Sequence, residues 1–395
     1  MSKISIVVVA YNRPDSLERL LNSLSKVNYL NEDVKLYISI DKDEENIKLH
    51  DEVVKVAKSF KWNYGEKIIN VEKNNLGLKR HILQCGNLTE KFENIIVLED
   101  DLIVSPLLYI YAKQVLEYYK DDRKIAGFGL YSFQRNPINN LPFYPMNEAS
   151  DVYFLQYACS WGQMWTRNQW NEFYAWYENN NEDFSSATIP SNVKSWGEKS
   201  WLKYYIKYII ETDKFFVYPQ NGLTSNFTDK GTHSHKSSFA YQCINYYTKD
   251  IVRFRFKNYD SAKNIYDAFF ENIRLNEILN LDKNIICDFW GEKNINEINK
   301  DSYLLSTRNY NLKIVSEYSL EMYPYELNII NNIKGHDIKL YDMNESNNQN
   351  KNDETRLIRY SYKLDMLNRK QNKLLIVNLL KEYYGRFLNK IKRKK

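Results

Sequence analysis

Ile4-Ser5-Ile6-Val7-Val8-Val9-Ala10 runs straight into Tyr11-Asn12-Arg13-Pro14, and Leu17, Leu20, Leu21, Leu24 and Val27 follow at helical spacing. The run, apolar except for Ser5 and rich in β-branched residues, predicts a buried strand, the polar turn ends it, and the spacing predicts an amphipathic helix packed back onto it. The unit recurs. Val34 to Ile40 is a second strand-like run stopping at Asp41, before a helix predicted over Ile47–Phe60. Ile68 to Val71 is a third, followed by Asn74-Asn75-Leu76-Gly77. Ile95-Ile96-Val97-Leu98 is a fourth and ends on Glu99-Asp100-Asp101, after which Ser105 and Pro106 read as the start of a helix bearing Leu108, Tyr111, Ala112, Val115 and Tyr119. Four strand-to-helix alternations within about 120 residues predict an α/β fold with a mainly parallel sheet flanked by helices. Such sheets bind ligands beyond the carboxyl ends of their strands, where these polar clusters fall.

Beyond Asp151 the chain is dense in tryptophan: Ser160-Trp161-Gly162-Gln163-Met164-Trp165 with Trp170 and Trp176, then Ser195-Trp196-Gly197-Glu198-Lys199-Ser200-Trp201. A strand-like Lys214–Val217 precedes a turn-rich stretch that includes Asp229-Lys230-Gly231-Thr232-His233-Ser234-His235. Past residue 250 a helix is predicted over Ile265–Leu279, with short strands at Ile285–Phe289, Tyr303–Ser306, Leu312–Glu317 and Ile338–Tyr341. The division expected is a first domain over 1–250, a small accessory α+β domain over 251–343, a polar linker over 344–355 and a basic amphipathic helical tail over 356–395.

A chain of 395 residues with 43% hydrophobic and 27% charged residues can bury a large core and is not disordered. Its net charge is +5, yet the last fifteen residues hold seven basic residues and one acid, so the remainder is close to neutral. That balance gives no support for a nucleic-acid partner. Cys85, Cys159, Cys243 and Cys287 are widely spaced without a CxxC pair, which predicts reduced thiols. With no apolar run long enough to span a bilayer, the expected location is cytoplasmic, and two readings of the basic tail stay open: a peripheral contact with the inner face of the cell membrane, or an amphipathic helix docked on the body of the protein or on a partner.

Adjacent acids after a buried strand suit a hard divalent cation, which takes oxygen ligands and needs only one or two carboxylates when phosphates complete its shell. The ordered set is more informative: Tyr11-Asn12-Arg13-Pro14, Ser39-Ile40-Asp41, Asn75-Leu76-Gly77, Leu98-Glu99-Asp100-Asp101 and Ser160-Trp161-Gly162, each at a strand end or loop. In these residues the first 250 positions resemble nucleotide-sugar-dependent glycosyltransferases of the GT-A fold, above all the bacterial family-two type and more distantly the Golgi N-acetylglucosaminyltransferase that begins complex N-glycans. The resemblance implies a GT-A-like, Rossmann-type sheet and a metal-dependent inverting transfer from a nucleotide sugar, UDP-linked, to a hydroxyl of a glycan or lipid-linked glycan in bacterial surface polysaccharide synthesis.

Carried over residue by residue, the resemblance implies donor-binding roles for Arg13, Asp41, Asn75, Asp100, Trp161 and Gly162, with Arg13 by the nucleotide and Asp41 accepting from the base. It implies Asp101 and His233 as ligands of Mn²⁺ or Mg²⁺, and Glu198, between Trp196 and Trp201, as the base that takes the acceptor proton, with Glu182 and Asp183 as rivals. Read without it, Arg13 is a surface ion-pair partner, Asp41 a turn residue, Glu198 a partner of Lys199 or Lys203, and His233 a solvated loop residue. Two other functions stay open: a nucleotidyltransferase acting on sugar phosphates, though Asn12-Arg13-Pro14-Asp15 lacks the glycines that grip a triphosphate, and an inactive glycan- or partner-binding protein on the same scaffold.

Overall fold

The structure is a computed structural model describing residues 3–179, 183–227, 229, 242–346 and 368–392. The first third consists of β1 (Ser5–Ala10), α1 (Pro14–Leu24), β2 (Leu36–Ile40), α2 (Ile47–Ser59), β3 (Lys67–Val71), α3 (Leu78–Gly86), α4 (Thr89–Phe92), β4 (Asn94–Glu99), β5 (Leu102–Val104) and α5 (Leu108–Tyr119). There follow β6 (Ile125–Gly129), β7 (Val152–Leu155), β8 (Gln163–Thr166), α6 (Arg167–Asn179), α7 (Ser191–Ser195), α8 (Trp201–Glu211), β9 (Phe215–Pro219), β10 (Thr224–Asn226) and β11 (Ile265–Tyr266). The last part holds α9 (Leu275–Leu279), β12 (Asn284–Cys287), β13 (Ser302–Ser306), β14 (Leu312–Tyr318), α10 (Glu326–Ile330), β15 (Ile338–Ser346) and a terminal helix, Arg369–Lys392.

Nine strands form one sheet in the order β11-β7-β9-β6-β8-β4-β1-β2-β3. β4, β1, β2 and β3 are mutually parallel, whereas β8 runs antiparallel between β4 and β6 and β7 antiparallel to β9, so the sheet is mixed beyond its parallel half. β1 is buried on both sides: Ile6, Val8 and Ala10 join a core with Leu17, Leu20, Leu21 and Leu24 of α1, while Val7 and Val9 meet Ile82 of α3 and Trp165 on the opposite face. Each fully buried leucine of α1 contributes about 2 kcal/mol of apolar transfer, which is why its spacing was readable.

Ile265–Leu279 is not one helix. Ile265 and Tyr266 extend the main sheet beside β7, Asp267 accepts from the backbone N–H groups of Phe269 and Glu271 to form a turn, and helix begins only at Leu275. Phe254, Tyr259, Ala262 and Ile265 pack into the core under α5, carrying the first structural unit past residue 250. The second unit is a four-stranded sheet, β12-β13-β15-β14, whose last-numbered strand reaches Ser346, inside the expected linker.

Candidate functional site

The strand order turns back between β1 and β4, the switch point at which open α/β sheets leave a crevice. Registers Ala10 to Ile40 and Val9 to Glu99 set the ends of β1, β2 and β4 nearly flush, so Arg13, Asp41 and Asp100 leave the sheet along one line. Arg13, at the N-cap of α1 ahead of Pro14, reaches across the crevice: one guanidinium nitrogen donates to Asp100 Oδ1 and the other to Asp101 Oδ2 at 3.1 Å. The two acids lie 87 and 88 positions from Arg13 in sequence. Asp100 Oδ2 and Asp101 Oδ1 are buried and, among the described residues, have no hydrogen-bond partner. Burial, with Asp101 adding to it and Arg13 opposing it, pushes the Asp100 carboxyl up to about 6. Burial and then the charge of Asp101 push Glu99 up to about 8, and its carboxyl bonds Ser160, tying the acid triplet to the Trp161-Gly162 loop.

That loop is built by close contact. Gly162 has φ +94°, and a Cβ there would lie 2.7 Å from Thr224 Cγ2. Thr224 Oγ1 in turn donates to the Trp161 carbonyl at 2.5 Å. Thr224 stands on β10, which pairs antiparallel with β5 just after the acids, and Phe227 N–H donates to the Asp101 carbonyl at 3.1 Å. Trp161 is half-buried, edge-on to Tyr131 at 4.8 Å between centroids. Nothing in the local pattern pointed to Thr224; its role arises from pairing across more than a hundred residues.

Asp41 is almost fully buried and already busy: its carboxylate accepts from the backbone N–H groups of Lys42 at 2.9 Å, Leu76 at 2.8 Å and Gly77 at 2.9 Å. It thereby fixes the turn into α3, where Gly77 takes φ +73°. A carboxylate has about four acceptor positions, so about one is left for a further donor. Asn75 is exposed and donates to the Lys42 carbonyl at 2.6 Å, on the rim of the same loop. The buried contact of Ser39 Oγ with His81 Nε2, 2.8 Å, went unnoticed in sequence because a histidine inside a helix carries no spacing signal.

Glu198 is exposed in the turn before α8. It pairs with neither lysine expected of a surface residue: Lys203 Nζ instead donates to the carbonyls of Trp196 at 2.8 Å and Lys194 at 3.3 Å. The first turns of α8 and α3 lie together, Lys79 Nζ resting 4.7 Å from the Tyr204 ring centroid, so Glu198 stands at the same end of the sheet as Asp41 and Asn75. Asp183 is exposed and accepts from Ser185 N–H at 2.8 Å as a turn residue. Glu182, His233 and His235 lie outside the described residues. Asp229 accepts from Ser16 Oγ at 2.6 Å and pairs with Arg19 of α1. Trp165 and Trp170 are fully buried packing residues, while Trp161 and Trp196 are half-buried.

Among the described residues no three acids, histidines or cysteines converge as a self-sufficient metal cage. A two-carboxylate site fits a hard cation whose shell is completed by phosphate oxygens and water, and the orphaned oxygens of Asp100 and Asp101 are donors of that kind. All four cysteines are free. No helix among the described residues is long and apolar enough to cross a membrane.

No family model matches the chain, and no curated protein matches it. Among solved structures it is similar to S. aureus TarS 1-349, at 13% identity and a TM-score of 0.37 over 56% of this chain and 59% of that chain. TarS 1-349 in complex with UDP-GlcNAc gives 13% identity and a TM-score of 0.39 over 58% and 60%. The mannosyltransferase PcManGT from Pyrobaculum calidifontis, in complex with GDP-Man and Mn²⁺, gives 13% and 0.31 over 42% and 45%. This chain thus spans about three fifths of the TarS segment it matches. Likeness at that level assigns no activity.

Proposed function

We propose that this protein is a glycosyltransferase that moves a sugar, with inversion, from a UDP-linked donor to a hydroxyl of a glycan or lipid-linked glycan in bacterial surface polysaccharide synthesis. The observation that carries the reading is the convergence of Arg13, Asp100 and Asp101 at the switch point, with two buried carboxylate oxygens left unpartnered. Bound there, Mn²⁺ or Mg²⁺ would neutralise charge developing on the departing diphosphate. Asp101 and His233 would hold it, Asp100, otherwise a donor-binding residue, would add an oxygen through its unpartnered Oδ2, and Arg13 would offer a forked donor to the phosphates. Asp41 and Asn75 shape the wall for the base, and Trp161-Gly162 lines the donor sugar.

Glu198 takes the proton of the attacking hydroxyl. It stands at the right end of the sheet, exposed and uncommitted to either neighbouring lysine, as a group must be that meets an acceptor arriving from solvent. The nucleotidyltransferase alternative needs a grip on a triphosphate, which the glycine-free turn at Tyr11-Asn12-Arg13-Pro14 does not offer.

The test is a thermal-shift panel of nucleotide sugars with and without Mn²⁺, since a ligand of the native state alone raises Tm. A UDP-sugar shift that requires Mn²⁺ and vanishes in Asp101→Ala is expected; the same shift in wild type and variant overturns the metal assignment. Metal-dependent hydrolysis of the donor separates an enzyme from an inactive binding scaffold. Glu198→Gln should keep the donor shift and lower kcat by about 10²- to 10⁴-fold, as loss of a general base does.

The terminal helix supports contact with an anionic membrane surface. Leu374, Ile376, Leu379, Leu380, Tyr383 and Tyr384 are exposed on it, among Lys370, Lys373 and Lys381. Apolar side chains that enter the headgroup layer, with basic residues contributing about 1 kcal/mol each near anionic lipid, favour that partner over a second like-charged copy. Co-sedimentation with phosphatidylglycerol vesicles, lost with neutral vesicles and in the double variant Ile376→Glu/Leu380→Glu, checks it.

A further inference from the structure

Arg13 holds one oxygen of each of two adjacent carboxylates, and among the described residues the other oxygen of each is buried without a partner. The guanidinium and a divalent cation would therefore draw on the same two side chains from neighbouring positions. Like charges this close repel, and Asp100 is nearly closed to water, its side chain 2% exposed, so solvent screens that repulsion poorly. The Arg13 side chain is 25% exposed and stands at the open end of the pair. It is the member able to turn away, and a diphosphate is the ligand whose geometry its fork matches.

We propose that Arg13 is a resident counter-ion that holds Asp100 and Asp101 until a divalent cation and a nucleoside diphosphate arrive together, and that it couples the binding of those two ligands. The inference rests on the metal-dependent reading above. Alone, the cation meets a carboxylate pair already engaged by a positive group and binds weakly. When the diphosphate takes the guanidinium N–H groups, the acids are released to the cation, and the cation in turn frees Arg13 for the phosphates. Linkage makes the effect reciprocal: whatever factor the diphosphate adds to cation affinity, the cation adds to diphosphate affinity.

The probes are Mn²⁺, followed by the electron paramagnetic resonance signal of the free ion, and UDP. Wild-type protein is expected to bind Mn²⁺ at least tenfold more tightly with saturating UDP than without. Arg13→Gln should bind Mn²⁺ alone at least fivefold more tightly than wild type, with the gain from UDP cut to threefold or less. Arg13→Lys, which keeps the charge as a single point and loses the fork, should fall between them; its thermal unfolding and that of Arg13→Gln verify that both are folded. Arg13→Gln binding Mn²⁺ alone no more tightly than wild type, while wild type responds to UDP, overturns the coupling role and leaves the metal reading standing. Wild type binding no Mn²⁺ even with UDP overturns both.

Discussion

Asp100 and Asp101 at the end of β4, and Glu271, Asp288 and Glu326 at the seam between the two sheets, are all carboxyl groups taken largely out of water. In both places burial raises the acids: Asp100 to about 6, Glu326 to about 7, Glu271 well above its ordinary value. In both places oxygens lack partners among the described residues, Asp100 Oδ2 and Asp101 Oδ1 in one, Glu271 Oε2 and Asp288 Oδ2 in the other. The surroundings separate them. The first pair stands where parallel strands end flush and the topology opens, spanned by a partly exposed arginine. The second is sealed: Lys293 pairs with Asp267 at 2.6 Å, Trp290 meets Tyr325 at 5.2 Å, and the cavity bordered by Tyr266, Trp290 and Glu326 measures about 10 Å³. That is room for about one water and for no substrate. Buried acids alone do not make a binding site; position in the topology and a path to solvent do.

The sharpest way to break the contrast is to neutralise one acid of each group. Asp101→Asn should lower donor turnover by about 10²- to 10³-fold, the usual cost of removing one electrostatic contact in a transition state, with Tm changed little. Glu326→Gln should leave turnover intact and change the pH dependence of stability instead. The folded-state value of Glu326, about 7, lies above its ordinary 4.5, so the folded protein holds that proton more tightly than the unfolded chain. Its contribution is complete below about pH 4.5 and is lost as pH rises to about 7, a decline of about 3 kcal/mol. Thermal unfolding at pH 5 and pH 7 should show the fall in wild type and a reduced one in Glu326→Gln; equal falls would mean the seam does not feel that charge.

Two Trp-Gly pairs extend the comparison at smaller scale. Gly162→Ala places a Cβ against Thr224 at a positive φ and should cost about 1–3 kcal/mol in denaturant unfolding. Gly197→Ala meets nothing within 4 Å and should stay within about 0.5 kcal/mol. Smallest of the site effects, Asp41→Asn loses one acceptor of the pair that holds Leu76 and Gly77, and about 1 kcal/mol with it. Faster amide exchange at those two positions would show the loosening directly.

Trp161-Gly162 and Trp196-Gly197 are alike in sequence, and only the neighbour across the fold distinguishes them. The same holds for the acids: Glu99-Asp100-Asp101 could be read as a candidate site because it ended an apolar run, whereas Glu271 and Asp288 fall within an expected helix and an expected strand, whose patterns say nothing of a buried acid. Arg13 was legible as a candidate site residue, but not as the partner of Asp100 and Asp101. Asp41 was legible as a strand-end acid, but not as the clasp of the Leu76-Gly77 turn. The helix expected over Ile265–Leu279 failed for a related reason: Ile265 and Tyr266 gain more as the edge strand beside β7 than a local helix returns.

By itself the sequence determined the parallel half of the sheet, because a strand covered on both faces must be apolar at every position and its helix must repeat at three and four, and both periods are local. It also determined that polar side chains end those strands. Tertiary structure alone decided which of them meet. Strand order and register brought residues 13 and 101 within hydrogen-bond reach, placed Thr224 under Gly162 and shut Glu271 away from solvent. Those outcomes depend on pairings across dozens to hundreds of residues, whose energies no window of local sequence contains.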